Sequence, residues 1–170
     1  MKFQYITPSK LSRDEFIKTF ADIYEHSQWV AERTFDLGLN DQVDNVDILH
    51  QQMSYTILNA SKEEQLLLIN AHPDLAGKAA INGNLTESST GEQKGAGINE
   101  CSPEEFKRFT DLNTKYKQKF GFPFIKAVTG SNRYQILDAF ETRINNTVDT
   151  EFKTALDEIN KIALFRLKKL

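Results

Sequence analysis

The sequence predicts an all-α protein, and three features carry that reading. Helix-start signals recur along the chain, apolar residues repeat at helical spacing, and alternating strand-like runs are nearly absent. The four prolines, Pro8, Pro73, Pro103 and Pro123, agree, since each falls at a predicted break or first turn. With 170 residues the chain fits a single compact domain spanning 1–170, of several packed amphipathic helices. A fold of that size hides enough apolar surface for an ordinary core.

The elements follow in order. Ser12 with Glu15 is a capping box, each side chain satisfying a backbone amide of the other, and Phe16, Phe20 and Ile23 continue at helical spacing. A second stretch carries Val46, Leu49, Met53 and Ile57. Ser61 with Glu64 starts a third, which stops near His72 because Pro73 disfavours helical geometry in the residue before it. The segment from Asn82 to Asn99, punctuated by Gly83, Gly91, Gly95 and Gly97, reads as irregular. Ser102, Pro103 and Glu105 then supply a cap, a first-turn proline and an acidic first turn ahead of Phe106, Phe109, Leu112 and Tyr116. The last two helices carry Leu137, Phe140 and Ile144, then Ala155, Ile159 and Ile162. No repeat, low-complexity tract or interdomain linker is visible.

Charge excludes some functions. Lys and Arg total 21 against 24 Asp and Glu, a net −3 without a basic block, which does not suit nucleic-acid binding by counterion release. The longest aliphatic run, Leu66 to Ile69, is far short of the ~20 residues that cross a bilayer. The opening MKFQYITPSK has no apolar signal core. A soluble protein, in the cytoplasm and without nucleic-acid or membrane partners, is expected. Cys101 is the one cysteine and is expected to face solvent as a bystander, and His26, His50 and His72 are too scattered for a metal pair, so no metal is expected.

Several residues could carry chemistry. His72 sits at a helix end against a proline, and an imidazole exchanges protons near neutral pH; the alternative is a structural histidine donating to a carbonyl. Asp74 could orient that ring or cap the next turn. Ser89 and Glu92 have capping-box spacing, and a helix starting there would also aim free amides at an anion. Arg166 falls on the stripe of Ala155, Ile159 and Ile162, which turns its guanidinium toward the core, where it needs a carboxylate or an anionic ligand; otherwise the last turn frays and the arginine reaches water. Gly121 to Ile125 is an aromatic-proline corner between helices.

Taken together, these segments resemble a known family. His72-Pro73-Asp74-Leu75-Ala76-Gly77, Ser89-x-x-Glu92-Gln93 with Ala96-Gly97, Lys119 to Ile125, and Ile162-Ala163-x-x-Arg166-Leu167 are similar, in order, to the 2-oxo-4-hydroxy-4-carboxy-5-ureidoimidazoline (OHCU) decarboxylases of urate degradation, and Trp29-Val30-Ala31-Glu32 fits as well. The resemblance implies an all-helical homodimer that decarboxylates this ureidoimidazoline to (S)-allantoin without metal or organic cofactor. It maps the catalytic histidine onto His72, the pocket glutamate onto Glu92 and the pocket arginine onto Arg166. Pro73, the segment Ser89, Thr90, Gly91, Glu92 and Gln93, and the segment Phe124, Ile125, Lys126, Ala127 and Val128 would line the substrate site. Two other classes compete: a non-catalytic helical module with an apolar groove, and a hydrolase of a related ureide that uses His72 to activate water. The closing Lys168-Lys169-Leu170 departs from the peroxisomal Ser-Lys-Leu at its first position, in keeping with the cytoplasmic expectation.

Overall fold

Short-range capping signals set most of the helix starts. The computed structural model describes residues 1–77 and 84–170, and its α-helices are α1 (Arg13–Phe20), α2 (Trp29–Asp36), α3 (Val46–Leu58), α4 (Lys62–Asn70), α5 (Glu87–Gly95), α6 (Pro103–Phe120), α7 (Arg133–Arg143) and α8 (Val148–Leu167). Among the described residues there is no strand, only an isolated bridge between Lys2 and Asn45. The reciprocal boxes at Ser12–Glu15, Ser61–Glu64 and Ser102–Glu105 all form, and the structure adds a fourth at Asn132–Gln135. At the start of α6 the Glu105 amide donates to Ser102 Oγ at 3.2 Å, while the Ser102 amide donates to Glu105 Oε2 at 2.9 Å. Ser102→Ala is therefore expected to lower stability by about 1 kcal/mol, measurable by urea unfolding.

The chain forms two compact units, Met1–Ala71 with Ala163–Leu170, and His72–Ile162. In the first, α1 packs on α2 and α2 on α3. Its core is Phe16, Phe20, Val30, Leu49, Met53, Ile57 and Ile69, all at most 1% exposed. Phe16 and Phe20, one turn apart, hold their rings 4.6 Å apart. The second unit is aromatic: Phe124 stacks on Phe140 at 3.8 Å and 12°, and Tyr116 meets both rings edge-on. Beneath these rings lies Glu151, fully buried, which accepts from Tyr116 Oη, from Arg143 Nη2 at 2.8 Å and from Asn146 Nδ2 at 2.8 Å. Burial alone would raise that carboxyl, but the bonds from Arg143, Tyr116 and Asn146 outweigh it and hold the carboxyl below its usual range.

One segment differs from its sequence reading. Residues 82 and 83 of the zone expected to be irregular lie outside the described residues, but Glu87–Gly95 is a helix despite Gly91 and Gly95. Its cap is Thr86, whose Oγ1 accepts from the Ser89 amide at 3.3 Å. Ser89 is thus not the cap of a Ser89–Glu92 box but lies in the first turn, buried like Gln93 one turn later. Helix α2, which composition and spacing did not mark, is also present.

Candidate active site

His72 opens the second unit just past the end of α4 and is 8% exposed. The residues after Pro73 form a tight turn in which the Gly77 amide donates to the Asp74 carbonyl at 3.4 Å. Ala76 takes the left-handed conformation, at φ +52°, which for a residue with a Cβ costs about 1–2 kcal/mol. A Cβ at Gly77 would lie 2.7 Å from Asp74 Cβ, so the close approach there requires glycine.

Side chains from two helices hold this turn. Gln93 of α5 accepts from the Ala76 amide at 3.1 Å through Oε1 and donates Nε2 to the Asp74 carbonyl at 3.4 Å. Asn113 of α6 donates Nδ2 to the Leu75 carbonyl at 2.8 Å. Lys117, one turn further along α6, donates to Asp74 Oδ2 at 2.6 Å. The Asp74 carboxylate is thus engaged by Lys117 through Oδ2. Gln93, expected to line the substrate site, has both ends of its amide on the protein.

The other predicted residues are placed as follows. Glu92 is half-buried, Ser89 is buried, and Thr90 and Gly91 are exposed along α5. Phe124, Ile125, Ala127 and Val128 are buried and Lys126 is half-buried. The Ile125 carbonyl accepts from Arg143 Nη1 at 2.6 Å, and the Ala127 amide donates to Glu158 Oε2 at 2.7 Å. Ile125 and Ala127 therefore already commit these main-chain groups within the unit. His72, Pro73, the Ser89–Gln93 segment and the 124–128 segment all belong to the second unit.

Arg166 belongs to the first unit and is 5% exposed, so the frayed-terminus alternative is excluded. Its Nη1 lies 2.9 Å from Glu25 Oε2 and donates to the Asp22 carbonyl at 3.3 Å. Glu25 is itself buried, 2% exposed, and is the carboxylate that a buried guanidinium needs.

A cavity of about 540 Å³ opens within the second unit, lined by Ala76, Thr90, Gln93, Ile98, Cys101 and Phe106 among others. Thr90 and Gln93 reach it; His72 and Glu92 are not among its described lining residues. Cys101 is half-buried there rather than solvent-facing. Burial, and then the Glu105 carboxylate, push its thiol up, away from thiolate chemistry. No cluster of His, Cys, Asp and Glu able to hold a metal ion occurs among the described residues. No described helix is long and apolar enough to cross a membrane.

Sequence reasoning missed Glu25, Asn113 and Glu158. Only Asn113 left a trace, as a polar residue on the buried stripe of Phe109, Leu112 and Tyr116.

Comparison with solved structures gives the class first. A crystal structure of (S)-allantoin synthase superposes with a TM-score of 0.74 at 28% identity, covering 95% of this chain and 52% of that one. A crystal structure of OHCU decarboxylase in the presence of (S)-allantoin superposes at 0.70 and 22% identity, over 88% of this chain and 94% of that one, a likeness of fold. The protein thus has this all-helical architecture. Its sequence is 40% identical over 159 residues to the OHCU decarboxylase of Haloferax volcanii, covering 94% of this chain and 90% of that protein. It is 41% identical over 162 residues to a uric acid degradation bifunctional protein of a Bacillus species, strain TB-90, covering 95% of this chain and 31% of that one. The sequence model of the OHCU decarboxylase family matches residues 9–168, and the chain belongs to that family.

Proposed function

We propose that His72, Glu92 and Arg166 carry the reaction of this carboxy-lyase, with no metal or organic cofactor. The enzyme decarboxylates 2-oxo-4-hydroxy-4-carboxy-5-ureidoimidazoline to (S)-allantoin in urate degradation. The observation that carries the residue assignment is His72 itself: a buried imidazole just past a helix end, followed by a turn that is pinned on several sides.

The substrate supplies its own electron sink. The bond from the ring carbon to the carboxylate breaks, CO2 leaves, and the electron pair forms a carbon–carbon double bond as the adjacent C=N takes up a proton on nitrogen. The hydroxyl then loses its proton as the neighbouring carbon gains one, which gives the carbonyl of allantoin and fixes the stereocentre. An external carbanion sink such as pyridoxal is redundant for this sequence. What remains for the protein is to hold the carboxylate so that the breaking bond aligns with the C=N, and to deliver a proton to one face.

In this reading His72 exchanges the proton, at the hydroxyl or at the enol-like intermediate. Glu92 fixes the protonation state of His72 or binds the hydroxyl. Arg166 holds an anionic or carbonyl oxygen, and its ion pair with Glu25 supports the role by anchoring one guanidinium nitrogen, Nη1. Pro73 and the segments 89–93 and 124–128 line the substrate site. A homodimer is the assembly we propose, supported by the exposed apolar side chains of Leu37, Tyr55, Leu58 and Leu67 in the first unit, each at least 57% exposed. The compartment is the cytoplasm, with which the free thiol of Cys101 is compatible.

The test is to supply freshly generated OHCU and follow its decay, CO2 release and the handedness of the allantoin formed. A helical binding module leaves OHCU to its uncatalysed fate, and a hydrolase consumes it without releasing CO2. In the same assay Arg166→Lys is expected to lower kcat/KM about 10-fold or more, because an ammonium cannot copy the planar fork. Wild-type kinetics for that variant would remove Arg166 from the mechanism.

A further inference from the structure

The chemistry proposed for His72 needs an imidazole whose position is fixed, yet the backbone that leaves it enters a turn with a left-handed alanine, a conformation that does not hold itself. Something else must hold it. The Ala76 amide and the Asp74 carbonyl go to opposite ends of the Gln93 amide, at 3.1 and 3.4 Å. The carbonyl between them, on Leu75, goes to Asn113 Nδ2 at 2.8 Å. Gln93 and Asn113 are each 5% exposed, so water competes little for these bonds.

Asn113 is the informative member. It stands on α6 in line with Phe109, Leu112 and Tyr116, where an apolar side chain would complete the buried stripe. Among the described residues its Oδ1 has no hydrogen-bond partner. Burying an amide with one end unused costs stability, so the residue earns nothing from its polarity except the bond to Leu75. A polar group kept in the core for a single donor, aimed at the turn that follows His72, has the signature of placement for function.

We propose that Asn113 is a positioning residue for the decarboxylation: with Gln93 it fixes the turn from Asp74 to Gly77 and thereby sets the place of the His72 imidazole. This rests on His72 being the proton-exchanging group. Lys117 contributes little, since its bond to Asp74 is made at the surface, where ion pairs are weak.

The proposal predicts a particular kinetic pattern. Asn113→Leu keeps the branched shape and the number of side-chain heavy atoms and removes the donor, so the turn loses its bond while the core stays filled. It is expected to lower kcat about 10- to 100-fold, the range that displacement of a catalytic group by about 1 Å produces, with KM changed less than about 2-fold. The enantiomeric excess of the allantoin should fall with it, because a loosely held imidazole no longer protonates a single face. A role confined to folding would lower the melting temperature and leave kcat per folded molecule and enantiomeric excess where they were.

Gly77→Ala attacks the same turn from its other side without touching a buried polar group, through the 2.7 Å approach to Asp74 Cβ, and should reproduce the pattern. It carries the test if Asn113→Leu does not fold. His72→Asn is run alongside. If that variant keeps wild-type rate and selectivity, the reading of His72 itself has failed. If it is inactive while the folded Asn113→Leu or Gly77→Ala enzyme keeps wild-type kcat and enantiomeric excess, the positioning proposal alone is overturned.

Discussion

Replacing His72 by asparagine is expected to leave a folded protein that no longer produces (S)-allantoin in excess over its mirror image. The side chain is buried beside a proline, and asparagine is smaller and polar, so the local packing survives in outline. What is lost is the group able to take up or release a proton near neutral pH, worth about 10²–10⁴-fold in rate when it is correctly placed. The effect should be larger on selectivity than on OHCU consumption, because an intermediate formed without His72 is protonated by water from either face. Chiral chromatography of the product, with a CO2 assay and circular dichroism of the protein, separates loss of chemistry from loss of fold. A variant that still gives pure (S)-allantoin at the wild-type rate would exclude His72.

The largest effect on stability is expected at Glu151, a residue given no part in the chemistry. Its carboxylate is fully buried and serves Arg143, Tyr116 and Asn146 together, while Arg143 in turn donates to the Ile125 carbonyl and lies 4.4 Å from the centre of the Phe124 ring. Glu151→Ala strands the Arg143 charge and the Tyr116 hydroxyl beneath the aromatic cluster, at a cost of about 3–5 kcal/mol. For a chain of this length that corresponds to a melting temperature lower by on the order of 10 °C, readable by calorimetry.

The same carboxylate makes the fold sensitive to acid. Its folded value lies below the ordinary 4.5, so the stabilisation is complete above that pH and drains away as the pH falls through the lower folded value. Glu64, held at about 2 chiefly by Arg33 and also by the Ser61 cap, has the same sign, but its exposure to solvent discounts its share. Wild-type stability should therefore fall below about pH 4.5, and the Glu151→Ala curve should be flatter there. Parallel curves would show that Glu151 does not carry the acid response.

What the sequence disclosed follows from the range of each interaction. The boxes at Ser12, Ser61 and Ser102 involve residues three apart, so their chemistry is visible in a short window. The Asn132–Gln135 box has the same geometry but uses an amide pair, a weaker textual signal. Around Gly91 and Gly95 the glycine punctuation outweighed Thr86, whose cap is unremarkable until Ser89 and Gln93 are seen to be buried behind it. Burial of Arg166 could be read from the apolar stripe it shares with Ala155, Ile159 and Ile162. Its partner Glu25, at the other end of the chain, could not, because nothing local distinguishes that glutamate from an exposed one. The same limit hid the engagement of Gln93 with the 74–76 backbone and of the Ala127 amide with Glu158.

Helix α5 has a consequence for the enzyme's motions. A Cβ at Gly91 would meet nothing within 4 Å, so no crowding calls for glycine there, and its presence lowers the intrinsic stability of the helix by about 1 kcal/mol relative to alanine. The helix persists through its Thr86 cap and the tether from Gln93 rather than through its own propensity. Such a segment is expected to open locally: its amide protons should exchange with deuterated solvent sooner than those of α6, and a ligand that settles against it should slow that exchange.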